Sequence, residues 1–175
     1  MVDRLVRAQQ ELMRIAAHVR WVARENLHLT VKFLGSVEDG DLAEVCRVAR
    51  ELAGRCEPFE FVVRGLTAVP PAGQMRMVWA GVEEPSGRLA RLAQAVEEAY
   101  AAMGFKRETR RFRPHLTLGR VKSGKNVAEL RAGTARFAET DFGSQRAEEL
   151  VVFASELTPH GPVYSSLAKA PLGRD

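Results

Sequence analysis

The sequence predicts an α+β fold, and three observations carry that expectation. Apolar residues recur at helical spacing in three long stretches, and the order helix, strand, helix, strands occurs once in each half. The tripeptide His-Leu-Thr also occurs twice, as His28-Leu29-Thr30 and His115-Leu116-Thr117, each time inside an apolar run that reads as a strand. Segregated helices over antiparallel or mixed strands argue against a doubly wound parallel sheet, and two sheets facing each other across a central cleft are expected. With 175 residues and 46% hydrophobic content, the chain can build one core or two small lobes that share a core, which excludes disorder.

Asp3 is placed to cap a first helix over residues 4–18, striped by Leu5, Ala8, Leu12 and Ile15. Arg20-Trp21-Val22 then leads through a polar turn at Arg24-Glu25-Asn26 into the first His-bearing strand, residues 27–34, closed by Gly35. Strand side chains alternate, so Leu27, Leu29, Val31 and Phe33 are expected on one face, with His28 and Thr30 on the other. Asp39 or Asp41 caps a second helix, whose stripe of Leu42, Val45, Cys46, Ala49 and Leu52 stops at Gly54. Residues 59–63 and 76–82 are rich in β-branched and aromatic side chains, and the Pro70-Pro71-Ala72-Gly73 turn between them predicts a strand pair at an antiparallel edge of the sheet. Ser86 is the expected cap of a third helix, with Leu89, Leu92, Ala93, Val96, Ala99, Tyr100 and Met103 as its stripe and Gly104 as its stop. In the second His-bearing strand Leu116 and Leu118 turn away from His115 and Thr117. A short helix over residues 126–131 follows, then strands over 148–155 and 163–168 separated by the Pro159-His160-Gly161-Pro162 turn.

Charge and cysteine usage narrow the classes further. The balance of 26 Lys and Arg against 22 Asp and Glu leaves a net +4, which mildly favours phosphate-bearing partners. Placement is more informative than the sum, because basic residues bunch in Lys106-Arg107-Glu108-Thr109-Arg110-Arg111-Phe112-Arg113, just ahead of the second His motif. Cys46 and Cys56 have no metal-ligand spacing and read as packing residues. The sequence has no apolar run of membrane-spanning length and no secretory leader, so a cytoplasmic location and no membrane partner are expected.

Imidazole titrates near neutrality, so two of them can divide proton donation and proton acceptance between them. Hydrolysis of a phosphodiester needs a base on water, an acid on the departing oxygen, and donors that hold the non-bridging oxygens. Two His-Thr pairs meet those needs without a metal, particularly on a strained five-membered cyclic phosphate. A single strand histidine is more often structural; two identical motifs drawn from four histidines favour chemistry. His18 and His160 lack the Thr partner and are assigned to surface or capping roles.

With Arg20-Trp21-Val22, Asn26-Leu27-His28-Leu29-Thr30-Val31-Lys32-Phe33-Leu34-Gly35 and Phe112-Arg113-Pro114-His115-Leu116-Thr117-Leu118-Gly119-Arg120 in view, the chain closely resembles the two-histidine phosphoesterases. Within them it is most similar to the RNA 2',3'-cyclic phosphodiesterase branch, also called 2'-5' RNA ligase, and residues 155–164 resemble that branch's closing segment. The resemblance spans nearly the whole chain. It implies a bilobal, pseudo-twofold α+β fold in which residues 1–175 form one catalytic domain of two intertwined lobes, each supplying one His-x-Thr strand. The implied activity opens a terminal 2',3'-cyclic phosphate on RNA to a 2'-phosphomonoester, with no metal or organic cofactor and no obligate protein partner. By the same resemblance His28 is the proton donor to the 3' leaving oxygen and His115 the proton acceptor from water, while Thr30, Thr117 and Arg120 bind phosphate. Strict strand parity turns Arg120 away from His115, so its role requires a twist or bulge. Family members usually begin with a short apolar strand before the first helix; here Met1 lies almost against that helix, so an N-terminal strand missing from a lobe's sheet, and an exposed edge, are expected.

Three other readings remain open at this point. The chain could grip RNA ends through Arg107, Arg110, Arg111 and Arg113 without turnover. It could be a sibling enzyme acting on ADP-ribose cyclic phosphate or joining RNA halves reversibly by 2'-5' linkage. A metallohydrolase is a third, but it would need further ligands near each motif, which the sequence does not supply.

Overall fold

A computed structural model describes residues 1–158 and 161–173, so the role expected for His160 lies outside the described residues. The α+β class holds. The chain forms two compact units, each assembled from three stretches: Met1–Thr30, Phe61–Glu83 and Arg113–Gln145 in the first, and Val31–Glu60, Glu84–Phe112 and Arg146–Asp175 in the second.

The first unit is organised by a five-stranded sheet in the order β1-β4-β3-β2-β5. Its strands are β1 (Val19–Trp21), β2 (Phe59–Val69), β3 (Met77–Glu83), β4 (His115–Val121) and β5 (Asp141–Ala147). Helix α1 (Val2–Met13) turns Leu5, Ala8 and Leu12 inward, as its periodicity predicts. Full burial of each leucine contributes about 1.5–3 kcal/mol. The helix stops five residues short of the predicted end because Val19 already pairs with Val121, and Ala16, at φ 55°, reverses the chain between them. Helix α4 (Val127–Ala135) lies against α1, with Gly133 close to Leu12 and Ile15.

Strands β2 and β3 pair antiparallel, as expected, but not at an edge: β4 and β5 flank them, and the edges are β1 and β5. Strand β5 was not predicted, since Phe142 is its one buried side chain. A bulge at Gly65 lets β2 turn toward the segment ahead of β5. This glycine has φ +71°, donates to the Thr140 carbonyl at 2.9 Å, and a Cβ there would meet the Ala138 carbonyl oxygen at 2.4 Å.

In the second unit, α2 (Leu42–Gly54) packs on α3 (Arg88–Ala102) and on a hairpin of β6 (Glu149–Thr158) and β7 (Gly161–Pro171). The buried Tyr100 hydroxyl donates to the Val45 carbonyl at 2.9 Å and ties the two helices together. The predicted caps need correction. Asp41 precedes α2 without a capping bond, and α3 is capped chiefly by Glu84, whose carboxylate accepts the Leu89 N–H at 3.0 Å. The Ser86 hydroxyl donates to the Glu84 carboxylate and accepts the Arg88 N–H at a long 3.4 Å. No helix among the described residues is long and apolar enough to cross a membrane.

The strand expected over the first His motif is also corrected. Residues 27–34 do not form a strand of the ladder: the segment touches the sheet through one antiparallel bridge, Leu29 to Leu116, and Phe33, expected inward, is 77% exposed. The bridge ties Leu29 to β4, so both motifs lie in the first unit, and the chain leaves that unit directly after Thr30.

Candidate active site

The second motif sits in the body of the sheet. β4 is hydrogen-bonded on both sides, with Gly81 opposite His115 and Trp79 opposite Thr117 on β3. Leu116 and Leu118 point into the core, both under 4% exposed, which sends His115 and Thr117 to the other face.

The bridge at Leu29 and Leu116 places the first motif alongside it. Counting outward from an antiparallel bridge sets His28 beside Thr117 and Thr30 beside His115. All four side chains project from the face opposite the two leucines. Directly opposed residues are about 5 Å apart and diagonal ones about 7–8 Å. The histidines therefore occupy one diagonal of a small quadrilateral and the threonines the other. An anion centred on it has an imidazole on each of two opposing sides.

Both rings are held in the same way. Nδ1 of His28 lies 2.7 Å from the Asn26 carbonyl, and Nδ1 of His115 lies 2.7 Å from the Arg113 carbonyl. A carbonyl only accepts, so Nδ1 carries the hydrogen in each ring, and in the neutral ring Nε2 bears the lone pair. The carbonyl two residues upstream thus selects the same tautomer in both motifs.

The surroundings of the His115 ring are well defined. The indole of Trp79 stacks on the His115 imidazole, with ring centroids 3.6 Å apart and planes 18° from parallel. Burial pushes the His115 pKa down; its bond to the Arg113 carbonyl opposes this, and the Arg120 charge adds to the lowering. The neutral, proton-accepting form is favoured.

Arg120 reaches this face through a bulge. Val78 opposes Gly119 and Trp79 opposes Thr117, so Leu118 is an extra residue in β4. Leu118 and Gly119 are both buried, and the alternation resumes with Arg120 exposed, opposite Met77 and Arg20. Met77 and Trp79 share one face of β3, so Arg120 is returned to the face of His115 and Thr117, as its expected role requires. Its guanidinium lies 3.5 Å from the Met77 sulfur. Gly119 admits no side chain, because a Cβ would meet Val19 at 2.7 Å and Trp21 at 2.9 Å.

All five residues expected at the site, His28, Thr30, His115, Thr117 and Arg120, are thus in one unit and on one face. Sequence reasoning missed Trp79 and Arg20. Trp79 was read as one aromatic of a strand, and only the register shows that it meets His115. Arg20 was noted within Arg20-Trp21-Val22, but its place opposite Arg120 follows from the β1–β4 pairing. Beside Trp79 and His115 lies an open cavity of about 220 Å³, lined also by Thr67, Val69, Pro71 and Arg113. The basic run is partly committed elsewhere: Arg110 pairs with Glu108, whose pKa falls to about 2 through that contact. In the second unit the buried Lys32 ammonium donates to Glu97 and to the Lys106 carbonyl, holding the start of the run. His18 is exposed. Among the described residues, no group of three or more His, Cys, Asp or Glu side chains is placed to hold a metal ion.

Known proteins resemble this chain over most of its length. The family model of the 2'-5' RNA ligase superfamily matches residues 3–153. An RNA 2',3'-cyclic phosphodiesterase of Methanothermobacter thermautotrophicus is 38% identical over 94% of this chain and 89% of its own length. One from Aquifex aeolicus is 30% identical over 88% of this chain and 82% of its own. Among solved structures, one from Thermus thermophilus superposes with a TM-score of 0.82 at 28% identity, covering 98% of this chain and 91% of the other. Apo LigT of E. coli gives a TM-score of 0.72 at 26% identity, covering 98% and 90%. The chain belongs to the 2'-5' RNA ligase superfamily.

Proposed function

We propose that this chain opens terminal 2',3'-cyclic phosphates on RNA to 2'-phosphomonoesters by a two-histidine, metal-independent mechanism. Family membership and relatives of that activity support its class, a hydrolase acting on phosphodiester bonds. The single observation that carries the mechanism is the Leu29–Leu116 bridge, which sets the imidazoles at opposite corners of one quadrilateral. In-line displacement at phosphorus brings the attacking and departing oxygens to opposite sides, so one imidazole attends each.

His115 Nε2 accepts the proton of water as the oxygen attacks phosphorus, and the depressed pKa suits that part. His28 Nε2 donates to the 3' oxygen as its bond to phosphorus breaks, leaving the phosphate on the 2' oxygen. Thr30, Thr117 and Arg120 hold the non-bridging oxygens, whose charge grows in the transition state. The cavity beside Trp79 has room for part of the nucleoside.

The test is incubation with a nucleoside 2',3'-cyclic phosphate, and with a short RNA ending in one, in the presence of chelator. The expected product is the 2'-monophosphate. Accumulation of the 3'-monophosphate would reverse the leaving-group assignment, and tight binding without ring opening would leave only an RNA-end-binding role.

A further inference from the structure

Gln9 is a polar residue on the buried stripe of α1, 3% exposed, between Leu5 and Leu12. An uncompensated amide there costs free energy relative to an apolar side chain. The amide is compensated in a specific way. Its Nε2 donates one hydrogen to the Val22 carbonyl at 3.0 Å and the other to the Leu118 carbonyl at 2.9 Å. The Val22 N–H also donates to Leu118, at 2.9 Å.

Those two carbonyls occupy telling positions. Leu118 is the extra residue of the β4 bulge, the irregularity that returns Arg120 to the face of His115. Val22 is the first residue past β1, where the chain departs toward His28. One amide nitrogen thus joins the root of the first motif to the bulge behind the second. Without the amide the Val22 carbonyl loses this donor and the Leu118 carbonyl keeps only the Val22 N–H, and regular pairing of β4 would turn Arg120 away.

We propose that Gln9 is a positioning residue for the reaction, acting through the β4 bulge to aim Arg120 at the phosphate. This rests on the function proposed above. A leucine at position 9 would bury as much apolar surface, so the amide answers to the geometry of the bulge rather than to the stability of the helix.

The experiment is a double-mutant cycle of Gln9→Met and Arg120→Ala. It reads kcat/KM on a 2',3'-cyclic nucleotide, inorganic phosphate affinity by calorimetry, and the pH–rate profile, all well below the measured melting temperatures. Gln9→Met is expected to lower kcat/KM about 10- to 100-fold, the scale of an ångström's misplacement at a reacting centre. In the Arg120→Ala background it should cost less than about twofold, since its route to the substrate is already gone. The acidic limb should rise in pH with Gln9→Met as with Arg120→Ala, because both withdraw the Arg120 charge from His115. Losses that multiply, or a Gln9→Met enzyme equal to wild type, overturn the proposal. If Gln9→Met fails to fold, Gln9→Asn, which keeps an amide too short to span both carbonyls, enters the same cycle with the same expectations. Wild-type protein that never opens the ring refutes the function instead; non-additive losses of phosphate affinity would still uphold Gln9 as the support of Arg120, and additive ones would overturn it.

Discussion

The two His-Leu-Thr motifs are chemically identical and structurally unequal. His115 lies in a strand paired on both sides, half-buried, with an indole stacked on its ring. His28 lies in an extended segment that meets the sheet at one residue, Leu29. Both rings nonetheless make the same bond, Nδ1 to the carbonyl two residues upstream. Tautomer and facing are therefore local properties, repeated wherever the tripeptide runs extended. Ring environment is a tertiary property, set at His115 by burial, Trp79 and Arg120. Such an asymmetry can make one imidazole an acceptor while its twin serves as donor, because the direction of a proton transfer follows from the environments of the partners.

The largest effects should come from removing the rings. His28→Ala and His115→Ala are each expected to lower kcat by at least about 10², since each deletes one proton-transfer role. His115→Ala also forfeits the stack with Trp79, worth roughly 0.5–1.5 kcal/mol, and should melt at a lower temperature than wild type. An unchanged melting temperature in His115→Ala would show that the stack adds no stability, and near-wild-type turnover in either variant would remove that histidine from the mechanism.

A smaller loss is expected from the hydroxyls. A hydrogen bond to a charged group is worth about 1.5–3 kcal/mol, so Thr30→Ala and Thr117→Ala should each reduce kcat/KM by roughly 10- to 100-fold. Thr117 is fixed in the ladder opposite Trp79, so Thr117→Ser should retain most activity there. Measuring both serine variants sharpens the contrast: a larger deficit at Thr30→Ser than at Thr117→Ser means that the β-methyl matters more where the backbone is held by one bridge.

How much of this was legible in the sequence follows the same division between local and tertiary. The helices, the paired strands β2 and β3, the hairpin of β6 and β7, and the choice of His28, Thr30, His115 and Thr117 rest on periodicity, turn residues and a repeated tripeptide, all local signals, whereas Arg120 rests on the family resemblance. Strand β5 escaped because Asp141-Phe142-Gly143-Ser144-Gln145-Arg146-Ala147 buries one side chain and shows no alternation. Residues 27–34 were overread because alternating apolar side chains do not reveal whether a partner strand is present. For a related reason the bridge between residues 29 and 116 leaves no trace in either segment alone. The bulge at Leu118 was anticipated only as a requirement of Arg120, and Gln9 was passed over although a polar residue on an apolar stripe is a readable anomaly.

The most delicate expected effect tests the stacked ring. Burial is the foremost cause of the lowered His115 pKa, so Trp79→Leu, which opens one face of the imidazole, should raise that pKa toward its ordinary 6.5. The acceptor must be neutral to take a proton from water, so the acidic limb of kcat/KM lies below pH 6.5 in wild type. It should move up by less than about one unit in the variant, with activity at pH 8 reduced far less than at pH 5.5. Stability carries the same sign. A folded-state pKa below the unfolded one means that, as pH falls past 6.5, the unfolded chain takes up the proton first, so the contribution of this group is complete above 6.5 and lost as pH drops through the folded value. Trp79→Leu should flatten that part of the melting-temperature profile. An acidic limb that stays in place, with an unchanged slope of stability below pH 6.5, would show that the indole shapes the cavity without tuning the base.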